Sequence, residues 1–314
     1  MTTSLRVAFF GTPDFAVRSL GALLDAGFAV PLVVTQPDRP AGRHAVPRSS
    51  AVAAFAAARG IPVEKPASVR GNEGFLATLR EVRPDAIAVV AFGRILPTEI
   101  LRLPAMGCLN VHASLLPRHR GASPIQAAIL AGDPETGVAT MRMEEGLDTG
   151  PVYLERRVRI GDRETAGELS SRLAEMGGEI LVETLRGLAA GTLSARPQAG
   201  EPSFCRPIRR EDGAVDWTRS AGELSRRLLA YTPWPGLYTF LGSERVKILE
   251  ADADAGSASG EPGSFGLEGG HLVASAGEGT ALRIERLQRA GRNPVTGAEF
   301  ARSVQLPGRF ESLR

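Results

Sequence analysis

Asn110 and His112 stand two residues apart in Gly107-Cys108-Leu109-Asn110-Val111-His112-Ala113-Ser114. The apolar pattern predicts a strand over Gly107 to His112. Side chains alternate along a strand, so Asn110 and His112 project to one face, ~6.6 Å apart along the chain, and Leu109 and Val111 turn into packing. An amide donor beside an imidazole at the carboxyl end of a strand suits a carbonyl oxygen that is becoming an oxyanion. The imidazole can also move a proton near neutral pH. Such a site wants a carboxylate, and Gly146-Leu147-Asp148-Thr149-Gly150 supplies Asp148 on a glycine-flanked loop. Beside His112, Asp148 is expected to favour the imidazolium, or to act as a base if its own pKa rises. Cys108 shares the face of His112, but four strand residues are ~13 Å, too far for a nucleophile and its base. It reads as core packing, and Cys205 as a linker residue. His44, His119 and His271 lack metal-like spacing, and no metal is expected.

The elements that must hold these groups alternate in type. Strands are predicted at Leu5 to Phe10, Val30 to Val34, Asp85 to Ala91 and Gly107 to His112. Helices are predicted at Pro13 to Ala26, Ser50 to Arg59, Pro124 to Ala131 and Ala166 to Ala190. Strands alternating with helices imply βαβ units, hence an α/β domain with a Rossmann-like, mostly parallel sheet. The stretch from Thr192 to Pro207 is rich in Pro, Gly and small polar residues and reads as a linker. Beyond it, one helix (Ala221 to Tyr231) precedes short β-like runs at Leu237 to Leu241, Val246 to Glu250, Leu272 to Ala274 and Leu282 to Leu287. That spacing predicts a small, OB-like β-barrel. The acidic, Gly/Ser-rich Ala251 to Gly263 reads as a mobile loop. The expected division is therefore a catalytic domain over 1–191, a linker over 192–207 and a barrel over 208–314.

The turn after the first strand tests for a nucleotide. It reads Gly11-Thr12-Pro13-Asp14-Phe15, with one glycine of the G-x-G-x-x-G pattern, and Pro13 removes an amide donor. No phosphate loop of the G-x-x-x-x-G-K-[S/T] type is present either. No nucleotide cofactor is expected.

Composition narrows the class further. With 43% hydrophobic and 23% charged residues the 314-residue chain has enough apolar surface to fold, which argues against disorder. No apolar run approaches the ~20 residues of a membrane span. No signal peptide is apparent, and two distant cysteines fit a reducing cytoplasm. The residues alone thus lead to an α/β enzyme that handles a carbonyl. The alternative is a non-catalytic RNA-binding protein in which His112 is structural and Asp148 a turn residue.

The run Ser114-Leu115-Leu116-Pro117-Arg118-His119-Arg120-Gly121-Ala122-Ser123-Pro124-Ile125-Gln126, with Asn110-Val111-His112 before it and Gly146 to Gly150 after it, resembles the folate-dependent formyltransferases. Gly11 to Phe15, Thr35-Gln36-Pro37-Asp38-Arg39-Pro40-Ala41-Gly42-Arg43, Val215-Asp216-Trp217 and Pro233-Trp234-Pro235-Gly236 resemble the branch that acts on methionyl-tRNA. The resemblance implies transfer of a formyl group from 10-formyltetrahydrofolate to the amine of initiator methionyl-tRNA, for translation initiation, by a cytoplasmic monomer. It implies catalytic roles for Asn110, His112 and Asp148, with Asn110 and His112 on the oxyanion. It further implies folate contacts at Ser114, Leu115, Leu116 and Pro117. For tRNA it leaves Arg39, Arg43 and Arg48 in a lysine-poor loop, and Arg206, Arg209 and Arg210 after the linker. A sugar-nucleotide formyltransferase with the same donor and triad is the alternative, though it has no need of the Thr35 to Arg43 loop. A glycinamide ribonucleotide formyltransferase is expected to end near the first domain.

Thirty-seven basic and 35 acidic side chains leave a net charge of only +2, which taken as a total argues against a generic polyanion binder. The charge is unevenly spread. Glu244 to Glu278 carries two basic and seven acidic residues, and Arg283 to Arg314 seven basic and three acidic. The expectation is a local basic face that steers phosphates.

Overall fold

Val7–Gly11 (β1) is buried along its whole length, which marks a central strand covered on both faces. In this computed structural model, which describes residues 5–41 and 46–312, β1 leads into Asp14–Asp25 (α1), whose Ala16, Leu20 and Leu23 form its buried stripe. Val33–Val34 (β2) precedes a small hairpin of Arg39–Ala41 (β3) and Val46–Arg48 (β4). Ala51–Ala57 (α2) follows, capped by Ser50, whose hydroxyl accepts from the amide of Ala53. After Val63–Glu64 (β5), Asn72 caps Glu73–Val82 (α3) in the same way through the amide of Phe75. Ala86–Val90 (β6), Thr98–Leu101 (α4) and Cys108–His112 (β7) complete the parallel part. Arg120–Gly121 (β8), Pro124–Ala131 (α5), Glu135–Arg142 (β9), Val152–Arg159 (β10) and Ala166–Ala189 (α6) come next.

The seven-stranded sheet has the order β10-β9-β7-β6-β1-β2-β5. β7, β6, β1, β2 and β5 run parallel, and β9 is antiparallel to β7. The chain steps outward from β1 through β2 to β5, then returns to build β6 and β7 on the other side. In such open sheets a crevice opens at the carboxyl ends where the order reverses. On one face Phe10 packs against Phe92 and Phe75. Elsewhere, a Cβ at Gly177 of α6 would lie 2.9 Å from Val111 of β7, so glycine there admits the close approach of helix to strand. Thr140 of β9 and Thr184 of α6 share a buried hydroxyl bond of 2.7 Å. Both contacts hold α6 against the sheet, one at β7 and one at β9.

The chain divides into two units. The first runs through Pro124, Glu135–Arg159 and Ser170–Arg206; the second takes Ile125–Pro134, Ile160–Leu169 and Pro207 onward. Within the first unit, Phe204–Cys205 (β11) pairs in parallel with β8, so the end of the expected linker is laid along the chain after β7.

The second unit contains Ala221–Tyr231 (α7) and a sheet of Leu237–Leu241 (β12), Glu244–Ser257 (β13), Ser264–Glu268 (β14), His271–Ser275 (β15), Thr280–Arg289 (β16), Val295–Thr296 (β17) and Gly308–Arg309 (β18), with Gly297–Arg302 (α8) between the last two. Its order is β12-β13-β16-β15-β14-β18, with β17 beside β16. A bridge between Phe240 and Glu311 joins the two ends, giving the expected barrel. Trp217 stacks on Phe310 and donates its indole N–H to Thr239. Two expectations change here. Ala251 to Ser257 belongs to β13 rather than to a mobile loop, because Ala-Asp-Ala-Asp is itself a period-two pattern. The acidic and basic stretches lie on adjacent strands and pair with each other. Arg286 meets Glu250 at 2.8 Å, Arg289 chelates Glu244, and Arg309 meets Glu261 at 2.6 Å. Opposite charge is therefore neutralised across β13 and β16, and this part of the barrel is not an uncompensated basic face.

Candidate active site

β7 ends with His112 buried and Asn110 half-buried. Among the described residues, the Asn110 amide has no hydrogen-bond partner. His112 is held from both sides. Its Nε2 lies 3.0 Å from the carbonyl oxygen of His119, and Nδ1 faces Oδ2 of Asp148 at 3.8 Å. A carbonyl can only accept, so Nε2 carries the proton and Nδ1 of the neutral ring is bare. Burial lowers the pKa of His112 and outweighs the raising effects of Asp148 and of the His119 carbonyl. Asp148 thus favours the imidazolium, as expected, while burial opposes it more strongly.

Asp148 reaches this position by an indirect path. β9 leaves β7 with Arg142 opposite Leu109, yet the following loop brings Asp148 to His112, three residues further along β7. Its Oδ2 accepts from the amide of Gly121 at 2.8 Å. Asp148 has φ +51° and His119 φ +57°, both left-handed and unusual outside glycine. Such conformations persist where surroundings enforce them, and they gather at functional sites.

Those surroundings come from residues 198–205, which sequence reasoning passed over as linker. Gln198 donates to the carbonyls of Asp148 and Gly150, both at 2.7 Å, and accepts from Arg120. Ser203 Oγ accepts from the amide of His119 at 2.8 Å. Cys205 is part of the same packing, its thiol directed at the carbonyls of His119 and Arg120. The signal available in the sequence was slight: one glutamine in a Pro-rich stretch. Cys108, by contrast, is packed as expected; burial pushes its thiol up to about 12, so it stays protonated.

The other expected residues separate. Ser114 is fully buried and gives its hydroxyl to the carbonyl of Arg118 at 2.6 Å, closing the turn that contains Leu115, Leu116 and Pro117. Leu116 and Pro117 are buried and Leu115 half-buried. Arg48, Arg206, Arg209 and Arg210 are exposed. Arg43 lies outside the described residues, and Arg39 is described only as backbone of β3. Arg48 lines a cleft of about 350 Å³ together with Thr12, Pro13, Gln36, Pro37, Ser50 and Ala91. This cleft holds the turns after β1 and β6, where the sheet order reverses. No group of His, Cys, Asp and Glu among the described residues has the arrangement of a metal site.

Comparison with known proteins addresses the chain as a whole. Residues 5–185 match the family described as formyl transferase, and residues 207–305 match its C-terminal domain. A methionyl-tRNA formyltransferase of Anaeromyxobacter dehalogenans (strain 2CP-1) is 48% identical over 96% of this chain and 97% of its own. One from Parvibaculum lavamentivorans is 47% identical over 97% of this chain and 99% of its own. The sugar 3N-formyl transferase WlaRD, solved with dTDP and 5-N-formyl-THF, shares the fold at a TM-score of 0.67 and 17% identity, covering 92% of this chain and 99% of that one. With both domains matched in order, and close relatives along nearly the whole length, the chain belongs to the formyl transferase family.

Proposed function

We propose that this chain transfers the formyl group of 10-formyltetrahydrofolate to the free amine of initiator methionyl-tRNA, giving N-formylmethionyl-tRNA for translation initiation. The observation that carries the reading is the 48% identity to a methionyl-tRNA formyltransferase over almost the full length of both chains. Identity on that scale spans the barrel as well as the catalytic unit.

The geometry supports a division of labour. The amine nitrogen attacks the formyl carbon, and the carbonyl oxygen becomes an oxyanion. The Asn110 amide, unengaged by the described residues and half-buried in β7, donates to that oxygen. In this reading Asn110 is the donor to the oxygen, because His112 keeps its Nε2 on the His119 carbonyl. Its bare Nδ1 and the facing Asp148 oxygen are both acceptors, and the proton leaving the amine passes to this pair. Collapse of the intermediate breaks the bond to N10 of the folate, which takes up a proton and leaves as tetrahydrofolate.

The donor is a co-substrate, and the loop over 114–117 offers it backbone groups, since the Ser114 hydroxyl is already used internally. The cleft bordered by Arg48 receives the charged end of the tRNA, and Arg39, Arg43, Arg206, Arg209 and Arg210 contact its phosphates. Asn110, His112 and Asp148 all come from one chain, so a monomer suffices. No described helix is long and apolar enough to cross a membrane, in keeping with a cytoplasmic enzyme.

The test is chemical. Purified protein, 10-formyltetrahydrofolate and charged initiator tRNA are incubated, the ester is hydrolysed, and the amino acid is weighed by mass spectrometry. N-formylmethionine is expected; unmodified methionine alone overturns the reading.

A further inference from the structure

We infer that Gln198 is a positioning residue for the reaction, clamping the loop of Asp148 to the loop that follows β7. This rests on the reading of His112 and Asp148 as the reactive pair. The Gln198 side-chain amide uses both of its functions. Nε2 donates to the carbonyls of Asp148 and Gly150 at 2.7 Å each. Oε1 accepts from Nε and Nη2 of Arg120, at 3.1 and 2.7 Å. Its partners lie 48 to 78 residues away in sequence, so the clamp exists only in the folded chain.

The two loops it joins are already linked at the reactive groups. Gly121 donates to the Asp148 carboxylate at 2.8 Å, and His119, two residues earlier, holds Nε2 of His112. A ring of contacts results, running from His112 through His119 and Arg120 to Gln198, and from Gln198 through Asp148 back to His112. Asp148 needs such a restraint. At φ +51° it occupies a left-handed conformation that persists only where its surroundings hold it. Its carboxylate lies 3.8 Å from Nδ1, and a drift of about 1 Å in such an arrangement is enough to slow a reaction ~10²-fold.

Glutamine suits this place for a stated reason. Two carbonyls require N–H donors and a guanidinium requires an acceptor, and one primary amide supplies both. Glutamate keeps the acceptor for Arg120 but turns an oxygen toward the two carbonyls. Methionine keeps the length and loses both functions.

The experiment compares the full-length parent with Gln198→Glu and Gln198→Met. Steady-state rates on charged tRNA are measured as a function of pH, and each fold is checked by thermal melting. The expected result is a fall of ~10- to 100-fold in kcat, KM for tRNA within about twofold, and a displaced pH–rate profile, with melting close to the parent. A rate and pH profile like the parent's in both variants overturns the inference. So does a loss of rate that merely follows a loss of melting temperature, with the pH profile unmoved. A substrate-free readout separates this inference from the proposed function. The imidazole resonances of His112 are titrated by NMR in the parent and in Gln198→Met. A midpoint displaced by about half a pH unit or more supports the clamp even if the parent fails to formylate tRNA, and an unmoved midpoint overturns it.

Discussion

Asn110, the third of the five residues of β7, has a side-chain amide that no described neighbour engages, and in the proposed mechanism it donates to the substrate oxygen. An N–H fixed in place before the reaction stabilises developing charge without reorganising, and removing one such donor typically costs 10²–10³-fold in rate. Asn110→Ala should therefore lower kcat by ~10²-fold with little change in KM, which single-turnover formylation would measure; an unchanged kcat would remove Asn110 from the mechanism. His112 makes a different prediction, through stability. Burial holds its native pKa below the ordinary value of 6.5. As pH falls below about 6.5 the unfolded chain takes up a proton that the native chain refuses, so native stability is lost toward acid and recovered toward neutrality. Urea unfolding at about pH 5.5 and about pH 7.5 should show this rise in the parent and a smaller one in His112→Gln. Sequence reasoning named His112 and Asp148, and the fold brings them to 3.8 Å of each other. It could not weigh the burial that lowers the His112 pKa, because depth of burial is a property of the fold.

At the scale of elements, a short ladder decides whether the residues meet. β8 and β11 pair over two residues each, and Gly121 sits in β8 with φ +118°. A Cβ there would fall 2.1 Å from the carbonyl oxygen of Cys205, in a backbone conformation that other residues rarely adopt. Gly121→Ala should push β11 away and loosen the amide that holds the Asp148 carboxylate. The expected outcome is a melting temperature lower by several degrees and a larger loss of kcat than of tRNA affinity. Melting and rate equal to the parent's would contradict this account. Much of the element pattern was legible. Pro124–Ala131, Ala221–Tyr231 and Leu237–Leu241 begin and end where their apolar periodicity predicts. α3 was missed although Asn72 is a sound cap, because Phe75, Leu76 and Leu79 form a brief apolar face on a short helix. β9 was implied only vaguely, and the 198–205 segment was read by composition, which cannot show what a Pro-rich stretch lies against.

At the scale of the molecule, charge shows most clearly what a sequence hides. The acidic and basic stretches of the barrel look like separate patches along the chain, yet they fold onto neighbouring strands and cancel in pairs. Exposed pairs of this kind contribute little stability, at about 0–1 kcal/mol each. In the proposed function the exposed arginines elsewhere, Arg48, Arg209 and Arg210 among them, meet the phosphate backbone. A solved sugar formyl transferase shares this fold at 17% identity, so the fold by itself does not name the acceptor. The choice of acceptor is therefore the central claim. It is tested most directly by competition: formyl-labelled 10-formyltetrahydrofolate is supplied with charged initiator tRNA and an amino-sugar nucleotide together, at equal concentration. The account predicts label in the tRNA and almost none in the sugar; label that accumulates in the sugar, with the tRNA left unformylated, would contradict it.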